Sequence, residues 1–131
     1  MSGVVLDTSA LLAPMFDEPG GDAATAILAS GVPLLMSAVN VAEAVGQIVR
    51  RHGVTPEAAK ERVLAVGVEV VPFEIVQAVE VGALEPGLRG RNISLADRAC
   101  LMLARARGLP AVTADRPWAT LDIGVEVRLI R

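Results

Sequence analysis

The sequence predicts an α/β fold: a parallel five-stranded sheet flanked by helices on both faces. Three observations lead there. Short apolar runs alternate with helical patterns along the whole chain, the order that parallel strands and crossover helices impose. The 131 residues suffice for one core and leave no room for a second domain of ordinary size, so residues 1–131 are read as a single domain. The apolar share is 53% and the mean hydropathy +0.52, which excludes disorder.

The elements follow in order. Val4 to Leu6 is the first strand, and Thr8 to Phe16 a helix interrupted near Pro14. Pro19, Gly20 and Gly21 make a turn before a helix from Asp22 to Ala29. Pro33 to Met36 is the second strand. Ser37 opens a long amphipathic helix to Arg51, with Val41, Val45, Ile48 and Val49 at helical spacing. Thr55 and Pro56 start the next helix, since Thr caps and Pro suits the first helical position; it runs to Val66. Val68 to Pro72 is the third strand, followed by a helix from Glu74 to Leu84 and a loop marked by Pro86, Gly87 and Gly90. Ser94 begins a helix that Gly108 and Pro110 end. Ala111 to Thr113 is the fourth strand, a short helix follows Asp115, and Val125 to Ile130 is the fifth strand.

Composition narrows the function. Aromatic residues are 2% of the chain, so stacking platforms for bases are nearly absent. One cysteine, Cys100, allows no internal disulfide, and with one His the chain has too few soft ligands for a zinc site. No signal-like or membrane-spanning run is found, and a soluble protein of the reducing cytoplasm is expected. The net charge of −3 conceals a split. Residues 1–86 carry four basic residues and eleven acids, whereas residues 87–131 carry eight arginines and four acids. A solvated surface explains such a split as well as a phosphate-binding face does.

Strand ends carry the chemistry, because parallel strands present their C-terminal ends on one edge of the sheet. Asp7 and Asp115 directly follow apolar strands, and Glu43 and Asp97 lie in the opening turns of helices. Each has a local alternative. Ser94 and Asp97 fit a capping box, Asn40 and Glu43 have similar spacing, and Asp7 and Asp115 suit helix caps. Four carboxylates on one edge repel, however, and are costly to bury unpaired. A divalent cation resolves that conflict, and oxygen-only ligands suit Mg²⁺ or Mn²⁺.

The segments Val4-Val5-Leu6-Asp7-Thr8-Ser9-Ala10-Leu11-Leu12, Ser37-Ala38-Val39-Asn40-Val41-Ala42-Glu43, Ser94-Leu95-Ala96-Asp97-Arg98-Ala99-Cys100 and Val112-Thr113-Ala114-Asp115-Arg116-Pro117-Trp118 resemble the PIN domain, specifically the VapC-like toxins of toxin-antitoxin pairs. The resemblance spans essentially the whole chain. It implies a metal-dependent endoribonuclease, with Asp7, Glu43, Asp97 and Asp115 holding Mg²⁺ or Mn²⁺ directly or through water. Ser9 and Thr113 take the hydroxyl positions that support those carboxylates. A divalent ion lowers the pKa of the water it binds, which supplies the hydrolytic nucleophile. Arg89, Arg91, Arg98 and Arg116 are candidate contacts for RNA phosphates. The family cuts structured RNAs such as transfer RNA.

One departure is Pro117, where some family members carry a further acid; this puts a second tightly held ion in doubt. Asp122 is assigned to the turn before the last strand, His52 to a structural or solvated role, and Cys100 to packing. A haloacid-dehalogenase-type phosphatase would want Asp where Ser9 stands, and a receiver domain would want a late lysine, whereas the only lysine is Lys60. A catalytically silent interaction module of the same fold stays open as the alternative.

The apolar surplus points to partners. A two-fold homodimer is expected, with Ala78, Val81, Leu84 and the residues near Pro86 as its interface. The resemblance further implies a VapB-like antitoxin that fills a groove and reaches the carboxylates. Leu11, Leu12, Phe16, Val41, Val45, Ile48 and Val49 form two apolar stripes, of which part is expected to pack on the sheet and the remainder to form that groove.

Overall fold

A computed structural model describes residues 2–131. Strands β1 (Val4–Leu6), β2 (Leu34–Ser37), β3 (Glu69–Val71), β4 (Ala111–Thr113) and β5 (Val127–Leu129) form one sheet of order β3-β2-β1-β4-β5. Every pairing is parallel, and Val5 at the sheet centre pairs with Leu35 on one side and Ala111 on the other.

Helices α1 (Thr8–Met15) and α2 (Gly21–Leu28) connect β1 to β2. Next, α3 (Ala38–His52) and α4 (Pro56–Leu64) lead to β3. The return to the centre uses α5 (Ile75–Gly82), α6 (Glu85–Leu88) and α7 (Leu95–Arg107), and a 3₁₀ turn at Arg116–Thr120 precedes β5. Strand alternation divides the core into two layers. Val5, Leu35, Val71 and Ala111 pack with Leu84, Leu88, Cys100, Leu103 and Trp118. On the opposite face, Val4, Leu6, Leu34 and Val112 meet Ala10, Ala13 and Ala24, and Met36 meets Leu11, Ala44, Ile48 and Val63. Covered on both faces, the inner strands are buried throughout and apolar except for Ser37 and Thr113 at their carboxyl ends.

Local chemistry sets the helix ends. Ser37, Thr55 and Ser94 accept cap hydrogen bonds at the starts of α3, α4 and α7. Gly53 and Gly108 end α3 and α7 in left-handed conformation. Pro14 lies inside α1 without interrupting it, because the helix ends one residue later.

Several sequence expectations need correction. The segment read as a loop at Pro86 and Gly87 is the short helix α6, with Pro86 in its first turn. Glu43 stands in the second turn of α3, not its opening turn, since α3 begins at Ala38. Val81 and Leu84, expected at a self-association face, are buried in the core. The large apolar side chains that α5 leaves exposed are Ile75, Val76 and Val79, at 77%, 58% and 66%, and Ala78 is exposed with them. Of the two apolar stripes, Leu11, Leu12 and Ile48 are the part that packs in the core, so none of these three lines a groove. Phe16 is half-buried, with Arg51 3.9 Å from its ring centroid and His52 edge-on at 5.0 Å. Among the described residues no helix is long and apolar enough to cross a membrane.

Gly20 shows how tightly the α1–α2 turn sits against the last strand. Its φ is +87°, and a Cβ there would stand 2.6 Å from the Ile130 carbonyl oxygen. Gly20→Ala is therefore expected to lower stability by about 1–3 kcal/mol through strain and backbone displacement. Chemical denaturation measures the loss, and an unchanged midpoint refutes this close approach.

Candidate metal centre

The chain runs outward from β1 through β2 to β3 and then returns to β4 beside β1. Ligand crevices of open parallel sheets form at such a reversal, beyond the strand carboxyl ends. Asp7 follows β1 and Asp115 lies two residues after Thr113 of β4. The first turn of α7 brings Asp97 to the same edge, and the second turn of α3 brings Glu43.

Asp7 is the most deeply placed of the four, at 5% exposure. It occupies the N-cap position of α1 but makes no side-chain cap bond. Its Oδ2 instead accepts hydroxyl bonds from Ser9 at 2.7 Å and Thr113 at 2.8 Å. Ser9 Oγ in turn accepts from the Ala114 N–H at 2.9 Å, and Thr113 Oγ1 from the Asp115 N–H at 3.0 Å. With both hydroxyl hydrogens given to Asp7, the 3.3 Å approach of Ser9 Oγ to Thr113 Oγ1 is contact rather than a third bond. The carboxylate thus ties the start of α1 to the end of β4.

Burial pushes the Asp7 carboxyl from 3.8 up to about 6, against the lowering effect of the Ser9 and Thr113 hydroxyls. The charges of Asp97 and Glu43 push it further in the same direction. Asp97 is half-buried and is also raised, first by burial, with Asp115 and Glu43 adding repulsion. Its Oδ2 accepts from the Ser94 N–H at 3.2 Å, while Ser94 Oγ accepts from the Asp97 N–H at 3.1 Å, completing a capping box. Asp115 precedes the 3₁₀ turn without a cap bond. The spacing of Asn40 and Glu43 is not a cap either, because Ser37 caps α3.

Glu43 acts on both raised acids and Asp115 on Asp97 alone, so Asp97 links the four carboxylates electrostatically. Among the described residues, however, no three His, Cys, Asp or Glu side chains close into a metal cage. The donor set fits Mg²⁺ or Mn²⁺, since it is all oxygen, and Mg²⁺ is usually held by one or two carboxylates with its remaining positions in water. The groove of about 370 Å³ between α5 and α7, lined by Glu80, Ala83, Met102, Arg105 and Ala106, contains none of the four acids.

Two of the four candidate arginines are engaged within the fold. Arg91 donates to the Pro117 carbonyl at 3.1 Å and to Thr120 Oγ1 at 2.7 Å, bracing the 3₁₀ turn behind Asp115. Arg98 pairs with Glu85 at 2.7 Å and donates to the Ile93 carbonyl at 3.1 Å. Arg89 and Arg116 are exposed, and neither forms an ion pair among the described residues. Asp122 is exposed in the segment before β5, and Cys100 is buried against the sheet. Asn40, which by spacing offered only a local cap with Glu43, and Thr8 are both buried beside the acids; an amide within the apolar run Ala38-Val39-Asn40-Val41-Ala42 is the signal that marks the first of them.

The family model for the PIN domain matches residues 4–123. Among solved structures, the chain is similar to FitAcB from Neisseria gonorrhoeae, with a TM-score of 0.74 and 22% identity over 97% of both chains. It is also similar to Mycobacterium tuberculosis VapC20, described as a sarcin-ricin loop cleaving toxin, at 0.72 and 19% over 94% of this chain and 98% of the other. A third similar structure is VapBC2 from Rickettsia felis bound to a DNA fragment from its promoter, at 0.71 and 16% over 96% and 97%. Comparison with curated protein sequences gives no match.

The raised Asp7 carboxyl dictates how stability changes with pH. Below 3.8 both folded and unfolded chains hold the proton; as pH rises toward 6 the unfolded chain releases it first, so the folded state loses stability until Asp7 itself ionises. Asp7→Asn is expected to stabilise the protein in EDTA at pH 7 by about 1–3 kcal/mol, with the advantage fading toward pH 4. Thermal unfolding across that range tests it, and a gain independent of pH would contradict the buried-charge origin.

Proposed function

Since this chain belongs to the PIN-domain family, we propose that it is a metal-dependent endoribonuclease, the toxin of a toxin-antitoxin pair. Asp7, Glu43, Asp97 and Asp115 hold Mg²⁺ or Mn²⁺, directly or through water. The observation that carries this reading is the buried Asp7, set at the reversal of the sheet with Asp97 and Glu43 in electrostatic reach and Asp115 in reach of Asp97. The bound ion would supply an activated water and neutralise phosphate charge.

The residues of the chain do the positioning. Ser9 and Thr113 fix the Asp7 carboxylate through Oδ2 and leave Oδ1 outside their hydrogen bonds. The Ser94 capping box similarly takes only Oδ2 of Asp97. Arg91 steadies the turn that follows Asp115. The exposed Arg89 and Arg116 contact RNA phosphates and set the register of the strand to be cut.

The partner is a VapB-like antitoxin, a reading supported by fold neighbours crystallised as VapBC complexes. Two copies of this chain associate through the α5 face at Ile75, Val76 and Val79, which exposes apolar surface without a covering element. The protein works in the cytoplasm, where its RNA substrate is found.

Asp97→Asn and Asp115→Asn are expected to lower Mg²⁺-dependent cleavage of RNA by at least about 100-fold while the variants stay folded, and EDTA is expected to abolish native cleavage. Undiminished cleavage by either variant removes that acid from the site. Purified protein that cleaves no RNA with Mg²⁺ or Mn²⁺ would favour a silent module. For the oligomer, Val79→Glu is expected to convert a dimer to a monomer in sedimentation at micromolar concentration, whereas a native monomer would overturn the α5 assignment.

A further inference from the structure

Three buried or half-buried groups lie beside three different acids of the cleft. Thr8 follows Asp7, Ala96 precedes Asp97, and Asn40 stands three residues before Glu43 on the same helix. All three belong to first turns, of α1, α7 and α3 respectively. Asn40 is fully buried, at 0% exposure, and Thr8 nearly so. The Asn40 amide donates to the Ala96 carbonyl at 3.0 Å and to Thr8 Oγ1 at 3.4 Å. Thr8 returns a bond by donating to the Asn40 carbonyl at 3.2 Å.

Both amide hydrogens are thereby used, while the amide oxygen Oδ1 is buried without a hydrogen-bond partner. An unmatched buried acceptor is costly, and an apolar side chain of similar size would avoid that cost. The value of Asn40 must then lie in its two donors. We propose that Asn40 is a positioning residue: it clamps the first turns of α1, α3 and α7 together and so sets the spacing of Asp7, Glu43 and Asp97. A lysine or arginine would join the helices as well but would neutralise the carboxylates. A neutral amide joins them and leaves their charge for a cation. The consequence for metal binding rests on the proposed nuclease reading, whereas the consequence for the spacing of the acids does not.

The test compares the native full-length chain with Asn40→Leu, which keeps the bulk and removes both donors. After cooperative unfolding confirms that the variant is folded, isothermal titration measures Mn²⁺ binding to metal-stripped protein. The dissociation constant is expected to rise about 10- to 100-fold, as for other residues that orient metal ligands. Thr8→Val is expected to weaken binding less, and Thr8→Ser, which restores the hydroxyl, to bind like the native chain. Unchanged Mn²⁺ affinity in folded Asn40→Leu overturns the proposal. If the native chain takes up no Mn²⁺, the metal reading fails, and crystal structures of native and variant chains decide the positioning claim: displaced Glu43 and Asp97 sustain it, and unchanged spacing overturns it. Should Asn40→Leu not fold, Thr8→Val is subjected to the same comparisons with the same deciding outcomes.

Discussion

The buried carboxylate of Asp7 is the constraint on which the edge of the sheet depends. At 5% exposure it has lost most of its hydration, and no ion pair to it forms among the described residues. Two hydroxyls replace part of that hydration, and each hydroxyl is itself oriented by a backbone N–H of the segment that follows β4. Such chains polarise along their length, which strengthens the terminal bonds to the carboxylate. Moving the Asp115 segment would therefore disturb Asp7 directly.

Helix direction supplies a second compensation. Asp7 caps α1 by position, Asp97 lies in the first turn of α7, and Asp115 precedes the 3₁₀ turn. Negative charge is favoured at helix N-termini, though by a modest amount that does not cancel burial. The raised Asp7 and Asp97 carboxyls show the remaining imbalance. Nearby arginines do not remove it, since Arg98 is turned to Glu85 and Ile93, and Arg91 to Pro117 and Thr120. Arg116, adjacent to Asp115, is exposed and forms no ion pair among the described residues.

The inner strands β1, β2 and β4 were legible because burial on both faces makes them short and apolar, and Asp7 and Asp115 were legible because they interrupt such runs at their ends. The orientation of α5 was not. Ile75, Val76, Val79, Val81 and Leu84 are apolar around the segment, so periodicity alone does not decide which of them meet the sheet, and Val81 and Leu84 are the ones buried. The short α6 was hidden by Pro86 and Gly87, residues that usually mark loops; Pro86 is tolerated in the first turn, and Gly87 is required where a Cβ would stand 2.6 Å from Ile123 Cγ2. Asn40 was hidden differently. Its partners are 32 and 56 residues away, beyond any local pattern.

This edge is built from neutral polar groups because its acids must be held without being neutralised. Thr8, Ser9, Asn40, Ser94 and Thr113 bond to one another, to backbone or to the acids. Any buried cation in their place would pair with a carboxylate and lower the negative potential of the cleft. Apolar residues would pack at least as well but would leave Asp7 without donors. Only uncharged donors satisfy both requirements, fixing helices that carry like charges while leaving those charges available. The arrangement therefore holds like-charged acids at one edge of the sheet at some cost to the stability of the bare fold, as the raised Asp7 and Asp97 carboxyls record.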